Sequence, residues 1–229
     1  MSTVVGSTVT LLVVAKAPVA GLAKTRLMTV LSAEQAAVVA AASLLDTLDA
    51  VADTPAARHV VALTGDLDAA TRRVELRRSL ERFSVLGQRG DALGERLSAA
   101  HADAGPGSVL QVGMDTPQLS PALLADAADR LARPGVDAVL GPAHDGGWWG
   151  LGVRTTGLAR ALVGVPTSRA DTGELTLVAL RGLGARVELL EPLGDVDTPA
   201  DAAVVAALVP GSRFAEAVAA VGLLTGVCR

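Results

Sequence analysis

Aromatic residues and cysteine are almost missing from this sequence. Aromatics make up 2% of the residues, tyrosine is absent, and the single cysteine is Cys228, next to the C-terminus. Proteins that bind single-stranded nucleic acid stack bases on aromatic side chains, so this class is disfavoured. One cysteine also excludes an internal disulfide framework and a cysteine-based zinc site. The core is therefore expected to consist of alanine, valine and leucine.

An excess of positive charge is also missing. The formal net charge is −4, with 20 basic and 24 acidic residues, so no nucleic-acid partner is expected. Residues 1–10 lack the basic region and cleavage site of a signal peptide. The longest apolar run, residues 36–45, is shorter than the roughly 20 residues that span a bilayer. These absences predict a cytoplasmic protein without membrane insertion.

Apolar runs rich in valine and leucine alternate along the chain with alanine-rich helical segments. Strands are predicted at residues 9–15, 58–65, 82–88, 107–113, 137–143, 146–153 and 185–191. Helices are predicted at residues 32–53, 66–80, 91–104, 120–132, 173–183 and in the C-terminal stretch. Ser32 with Gln35 forms an expected capping box, and Ser120 caps a helix whose first residue is Pro121.

This alternation predicts an α/β fold with a mainly parallel sheet and helices on both faces. No linker, repeat or charged block divides the 229 residues, so a single domain is expected over residues 1–229. Its core covers about residues 9–208, and residues 209–229 form a helical extension. That extension is compatible with a closing helix of the core or with a homodimer contact. Ligands of such sheets bind beyond the carboxyl ends of the strands, in the loops.

The loop after the first strand concentrates positive charge. Lys16, Lys24 and Arg26 lie there, with Pro18 and Gly21 between them to shape a tight loop. Lysine and arginine together are typical of phosphate binding, whereas scattered cations would indicate only a solvated loop. The loop carries neither a P-loop motif nor a dinucleotide fingerprint.

Two carboxylates in later loops are candidate metal ligands. Asp115 follows the strand that ends near Gly113, and Asp197, or its neighbour Asp195, precedes a helix that starts near Pro199. Mg²⁺ typically binds one or two protein carboxylates together with substrate phosphates. Each motif has an ordinary structural explanation as well, because Asp-x-Pro is a common turn and Thr198 or Asp197 could cap the helix.

A third loop combines a carboxylate with two glycines and the only tryptophans. Asp145 precedes Gly146 and Gly147, which allow the backbone to come close to a ligand. Trp148 and Trp149 follow in a predicted strand, where neighbouring side chains point to opposite faces. One ring is therefore expected in the core and the other at a pocket.

Five segments in this order resemble a known bacterial family. They are the spacing Lys16-x-Pro18-x-x-Gly21-x-x-Lys24-Thr25-Arg26-Leu27 and residues 88–97, 113–119, 141–147 and 195–201. The chain resembles GT-A-like proteins of the nucleotide-diphospho-sugar transferase fold, loosely labelled glycosyltransferases. They are related to 2-phospho-L-lactate and molybdopterin guanylyltransferases. The resemblance covers roughly residues 9–208.

The resemblance implies a role for each motif. Asp115 would be the principal ligand of Mg²⁺ or Mn²⁺, Asp197 the second ligand, and Lys16, Lys24 and Arg26 would hold donor phosphates. Asp145, Gly146, Gly147 and Trp148 would face the acceptor. The remaining residues would line or brace the nucleotide side: Gln88, Asp91, Gly94 and Arg96.

The resemblance is incomplete. The chain lacks the glycine-rich loop of many nucleotidyltransferases of this fold, and residues 166–168 replace the family's frequent Trp-Ser pair. Three cations and a single Asp115 favour nucleotidylyl transfer from an NTP to a small phosphorylated or acidic acceptor, with pyrophosphate release. The alternatives are a glycosyltransferase that uses an NDP-sugar and a non-catalytic nucleotide-binding protein.

Overall fold

The computed structural model describes residues 8–226. Cys228 and most of residues 1–10, the segment in which no signal peptide is expected, lie outside the described residues. Within this range the sheet strands are β1 (Thr10–Lys16), β2 (Arg58–Thr64), β3 (Ser84–Gly87), β4 (Val109–Val112), β5 (Ala138–Pro142), β6 (Trp148–Val153) and β7 (Val187–Leu189). They form one sheet in the order β3-β2-β1-β4-β6-β5-β7.

The sheet is mainly parallel, as the alternation of strands and helices predicts. β1 pairs in parallel with β2 and β4, β2 with β3, and β5 with β7. β6 is antiparallel to both of its neighbours, β4 and β5. The reason is the short connection at residues 143–147, because strands joined by so few residues can form only a hairpin.

The helices connect these strands. They are α1 (Ala33–Ala52), α2 (Arg73–Leu80), α3 (Leu93–Asp103), α4 (Pro121–Ala132), α5 (Thr172–Gly182), α6 (Pro199–Leu208) and α7 (Arg213–Ala220). Short 3₁₀ helices lie at Thr25–Thr29, Thr156–Leu162 and Leu223–Gly226.

Two predicted elements are shorter than expected. The helix predicted at residues 66–80 starts only at Arg73, because Arg72 has φ 56° and a left-handed residue cannot continue an α-helix. The strand predicted at residues 185–191 is reduced to Val187–Leu189 at the edge of the sheet.

The expected helix caps are confirmed. Ser32 Oγ accepts from the Gln35 amide at 3.2 Å, and Gln35 Oε1 accepts from the Ser32 amide at 2.9 Å. Ser120 Oγ accepts from the Leu123 amide at 3.2 Å, with Pro121 at the first helical position. Such caps satisfy amides that a helix start leaves unpaired.

Helices cover both faces of the sheet. Leu11 and Val13 of β1 belong to a core cluster with α1, α2 and α4, while Leu12 belongs to a cluster with α3, Thr156–Leu162 and α5. Both faces of β1 are therefore buried, which explains why its sequence shows no polar alternation.

Helix α1 is the centre of a further layer. By length and composition it could cross a membrane, but 72% of its apolar window is buried within the fold, as in a core helix. Helices α6 and α7 pack against it, with Phe214 fully buried. Asp46 of α1 accepts from the Phe214 amide at 2.8 Å and from Arg213 at 3.2 Å. Of the two interpretations of the C-terminal extension, α7 therefore fits the closing helix.

Candidate active site

The loop after β1 is closed by its own hydrogen bonds. Lys16 is the last residue of β1, and its ammonium donates to the Leu22 carbonyl at 2.9 Å. Gly21 turns the chain at φ 77°, and the Pro18 carbonyl accepts from the Thr71 amide at 3.0 Å. The loop therefore has a defined shape at the carboxyl edge of the sheet.

Lys24 reaches inward from this loop and connects the predicted motifs. Its ammonium lies 3.0 Å from Asp115 Oδ1 and 3.8 Å from Asp197 Oδ1, and it donates to the Val196 carbonyl. Only 6% of the side chain is exposed. The backbone of Lys24 is left-handed at φ 49°, a costly conformation for a residue with a side chain. The fold thus holds this ammonium between the two candidate metal ligands.

Asp197 also belongs to a group of three carboxylates. Its Oδ2 accepts from Arg26, and one oxygen from each of Asp145, Asp195 and Asp197 lies within 4.8 Å of the others. Asp115 is outside this group, and Asp145, which the resemblance assigns to the acceptor side, is inside it. The acidic part of the site is therefore shared among three loops rather than two.

The three grouped carboxylates repel one another. Burial, followed by the nearby charges of Asp145 and Asp197, raises the pKa of Asp195 to about 6. The side-chain oxygens are of the type that Mg²⁺ and Mn²⁺ bind, and a cation would relieve the repulsion. The donor set therefore fits a divalent metal, with Asp195 and Asp197 both within reach of it.

A cavity of about 440 Å³ lies where β1, β2, β3 and β4 end. Its wall includes Lys16, Thr64, Gly65, Gln88 and Arg96, and no acidic residue lines it among the described residues. Arg96 Nε is buried and has no hydrogen-bond partner in this part of the chain. We refer to this space, with its two cations Lys16 and Arg96, as the basic cavity.

The other residues expected on the nucleotide side brace its wall. The Gln88 amide donates to the carbonyls of Ala15 and Ala62, at 2.8 and 2.9 Å, and so ties β1 to β2. Gly94 faces the Leu162 carbonyl so closely that a Cβ would lie 2.1 Å from it. Asp91 is exposed, and its backbone amide donates to Glu95 at 2.9 Å. Gln88 and Arg96 line the basic cavity; Asp91 and Gly94 do not.

A second cavity, of about 270 Å³, adjoins the first. The two share Val14, Leu93 and Met114 as walls. The charged residues of the second cavity are Asp115, Asp145 and Arg169, and both Nε and Nη2 of Arg169 bind Asp171, at 2.7 and 2.8 Å. We refer to this space, where the two carboxylates outweigh one paired cation, as the acidic cavity.

The turn between β5 and β6 builds one wall of the acidic cavity. Gly147 donates its amide to Asp145 Oδ1 at 2.7 Å. Gly146 has φ 88° and lies so near the Ala170 carbonyl that a Cβ would be 1.8 Å from it. Only glycine fits there, and the contact brings residues 167–172 against the hairpin.

The two tryptophans point to opposite sides, as predicted. Trp148 is half-buried and lines the acidic cavity. Trp149 is 2% exposed in the core, and its Nε1 donates to the Glu191 carbonyl at 3.0 Å. The strand thus provides one wall residue and one core residue.

The sequence interpretation missed some residues of the acidic cavity. Gln111, Ser168 and Arg169 line it, and none was singled out as a site residue. Gln111 carried a signal, because it is the one polar residue of the buried strand β4. Ser168 adopts φ 60°, which the sequence does not reveal.

Several solved structures that resemble this chain are described as transferases or synthetases. A protein from Desulfovibrio desulfuricans G20, described only provisionally as a nucleotide-diphospho-sugar transferase, is 28% identical, with a TM-score of 0.78 over 95% of this chain and 94% of that one. A CMP:2-keto-3-deoxy-manno-octonic acid synthetase, solved with CTP, is 11% identical, with a TM-score of 0.54 over 85% and 95%. A cytidylyltransferase from Leptospira borgpetersenii is 11% identical, with a TM-score of 0.57 over 93% of each chain.

The fold and the arrangement of the loops therefore define a protein of the nucleotide-diphospho-sugar transferase class, and the predicted resemblance to it is confirmed. No curated protein matches the chain significantly. The chain belongs to DUF2064, a family of uncharacterised bacterial proteins whose model matches residues 47–169.

Proposed function

We propose that this protein is a metal-dependent cytoplasmic transferase that takes a nucleotide donor in the basic cavity and a small second substrate in the acidic cavity. Nucleotidylyl transfer from an NTP, with release of pyrophosphate, is the first candidate reaction. Glycosyl transfer from an NDP-sugar is the second. The observation that carries the proposal is the buried Lys24 ammonium, held between Asp197 and Asp115, a wall residue of the acidic cavity.

Four carboxylates are available for a divalent metal. Asp115 and Asp197 are the proposed ligands, and Asp195 is close enough to Asp197 to replace or assist it. Held by Asp115 and Asp197, Mg²⁺ or Mn²⁺ would supply positive charge that offsets the charge of the donor phosphates. The negative charge of the carboxylates alone would repel a nucleotide, so the metal and the cations are needed together.

The cations of the first loop are proposed to bind donor phosphates. Lys16 and Arg96 face the basic cavity, while Lys24 and Arg26 stand beside the carboxylates. Lys24 provides a compact charge, and Arg26 a fork that can bind two phosphate oxygens. Their positions would align the nucleotide across the boundary of the cavities, so that the reacting group points into the acidic cavity.

In nucleotidylyl transfer an oxygen of the second substrate attacks the α-phosphorus. The new phosphorus–oxygen bond forms as the bond to the bridging oxygen breaks, and the electron pair leaves with pyrophosphate. The increasing negative charge on pyrophosphate is stabilised by fixed cations, which is the main contribution that a protein makes to such a reaction. Lys16, Lys24 and Arg26 supply three of them.

The acidic cavity is the observation that favours the second candidate. Asp115 and Asp145 are hydrogen-bond acceptors, which suit the hydroxyl groups of a sugar. In this case the nucleoside diphosphate leaves, and the same cations stabilise it. The two candidates therefore share the basic cavity and differ in what enters the acidic one.

A thermal-shift panel separates the candidates. Each of the four NTPs and a set of NDP-sugars is added with and without Mg²⁺. A ligand at about 100 times its Kd adds roughly 2.7 kcal/mol of stability, or several degrees. A Mg²⁺-dependent shift with one NTP supports nucleotidylyl transfer and identifies the base, and a shift with an NDP-sugar and its NDP supports glycosyl transfer. If no nucleotide shifts the melting temperature, the proposed function is wrong.

A further inference from the structure

The acidic cavity offers no unpaired cation among the described residues that line it. Asp115 is 42% exposed and Asp145 is exposed, so both carboxylates are accessible to a ligand. Arg169 is the single cation, and both of its bonded nitrogens are engaged by Asp171. A phosphate or carboxylate group entering this space would meet two carboxylates, and Lys24, the cation nearest to them, is already engaged by Asp115.

Gln111 adds a polar group to the floor of the cavity. It is 2% exposed on β4, and its Oε1 is buried without a hydrogen-bond partner. The buried His101 ring lies beside it and interacts with the Gln111 side chain, but no hydrogen bond of good geometry joins the two in the described part of the chain. A buried amide whose hydrogen bonds are not all made costs free energy, which a ligand recovers by completing them.

A hydroxyl group matches this set of partners. The carboxylates only accept hydrogen bonds, while the Gln111 amide both donates and accepts, whichever way its oxygen and nitrogen are assigned. A hydroxyl can donate a hydrogen bond to the carboxylates, and it can donate to or accept from the Gln111 amide. Trp148, Leu93 and Leu97 provide apolar walls for the C–H face of a ring or a short carbon chain.

We propose that the acidic cavity binds an uncharged group with several hydroxyls, with Gln111 and Asp145 as its specificity determinants. This inference rests on the proposed function for the role of the site, and it replaces the expected phosphorylated or acidic acceptor. Such a group has two sources: a free polyol acceptor, or the sugar of an NDP-sugar.

Saturation-transfer NMR on the wild-type protein, recorded without divalent metal so that the carboxylates of the cavity keep their charge, tests this discrimination. The probes are matched pairs that differ by one phosphate: glucose and glucose 6-phosphate, and glycerol and glycerol 3-phosphate. We expect the uncharged member to bind about tenfold more tightly, because the like charges of the cavity repel the phosphate. If the phosphorylated member binds equally or better, or if neither member of either pair binds, the inference is overturned.

A variant locates the binding. Gln111→Leu replaces the amide with an apolar side chain, which suits a buried strand, and we expect the glucose signal to fall about tenfold. The nucleotide-induced thermal shift should not change, since Gln111 does not line the basic cavity. An unchanged glucose signal would contradict the assignment. Should Gln111→Leu fail to fold, Asp145→Asn tests the glucose signal from the opposite wall; the nucleotide control does not apply to it, because Asp145 belongs to the carboxylate group proposed for the metal.

Competition identifies the source of the group. If an NDP-sugar displaces glucose but the corresponding NDP does not, the cavity holds the sugar of the donor. If glucose binds together with the donor, the group is a separate acceptor. Both results support the inference, while displacement by NDP alone would place glucose in the basic cavity and overturn it. A protein that binds polyols but no nucleotide would refute the proposed function and leave the chemistry of the acidic cavity standing.

Discussion

The basic and acidic cavities lie side by side and are built in different ways. The basic cavity consists largely of residues at the ends of the parallel strands β1 and β2, with Gln88 directly after β3. The acidic cavity needs the β5–β6 turn, residues 167–172 and Asp115 to come together. The first follows from the geometry of a parallel sheet, whereas the second depends on contacts between distant segments such as Gly146 and Ala170. We therefore expect donor recognition to follow from the fold and recognition of the second substrate to depend on this particular chain.

Asp115 lines the acidic cavity and pairs with the buried Lys24 ammonium, and its removal should have the largest effect. We expect Asp115→Asn to lower metal-dependent turnover by about 10³-fold or more, because the proposed metal loses its principal ligand. The fold should remain intact, since 42% of this side chain is exposed. Turnover and the Mg²⁺ dependence of nucleotide binding measure the effect. Asp129→Asn, an exposed carboxylate on α4, is the control and should be neutral. Wild-type turnover in the Asp115 variant would exclude it as a ligand.

The two tryptophans of β6 test whether the wall of the acidic cavity and the protein core depend on different residues of the same strand. Trp149→Ala should lower the free energy of unfolding by about 3–5 kcal/mol, because it leaves a cavity and breaks the hydrogen bond to Glu191. Trp148→Ala should cost much less stability and weaken ligand binding in the acidic cavity instead. Urea unfolding and NMR titration provide the two readouts. Equal losses of stability in the two variants would contradict this division.

Lys24 tests how the cations and the metal share the carboxylates. We expect Lys24→Met to weaken nucleotide binding by about 10- to 100-fold, the range for a lost charged hydrogen bond. Binding of Mn²⁺ without nucleotide should become tighter, because the ammonium no longer occupies Asp115 and Asp197. Calorimetry and electron paramagnetic resonance measure the two affinities. Arg77→Met removes one charge from an exposed pair with Asp68 and serves as the control.

Opposite changes in the two affinities are the decisive result for Lys24. A purely structural lysine would leave the affinity for Mn²⁺ unchanged once folding is accounted for. Lys16 and Lys24 are the only lysines of the sequence, so covalent labelling of lysines reports on both without further mutation. Lys24 should be protected and Lys16 reactive, since only 6% of the Lys24 side chain is exposed.

The sequence predicted the fold and part of the site for identifiable reasons. Buried strands, caps such as Ser32, and the position of loops beyond parallel strands are local properties. These predicted the architecture and the loops that carry Lys24, Asp115 and Asp197. Lys24 bridges carboxylates from two distant parts of the chain, and its hydrogen bond to Val196, beside Asp197, joins residues 172 positions apart, so no local pattern encodes the arrangement.

The acidic cavity is a second example of what sequence patterns cannot predict. Gln111 is a polar residue in a buried strand, which was visible, but its contact with a cavity depends on Trp148 and on residues 167–172. Of the three cations counted in the first loop, the structure places Lys16 at the basic cavity and Lys24 and Arg26 beside the carboxylates. Charge counted along the chain therefore does not indicate which cavity carries it.

The smallest predicted effect concerns the edge of the sheet, where Asp137 and Arg186 form an ion pair at the starts of β5 and β7. The Arg186 backbone amide and Nε both donate to Asp137 Oδ2, at 2.9 and 2.8 Å, and these bonds lower the pKa of the Asp137 carboxyl from 3.8 to about 2. A lowered carboxyl pKa stabilises the fold above pH 3.8, and this contribution is lost as the pH falls through about 2.

We expect Asp137→Asn to lower the Tm by about 2 °C or less at neutral pH, since the pair is exposed. The difference from wild type should be constant down to pH 3.8 and disappear near pH 2. Melting curves of both proteins across this range measure it, and Arg186→Gln should show the same profile. A difference that persists near pH 2 would show that the substitution acts through packing rather than through charge. This edge of the sheet would then be stabilised in the same way as the buried core beneath the basic cavity.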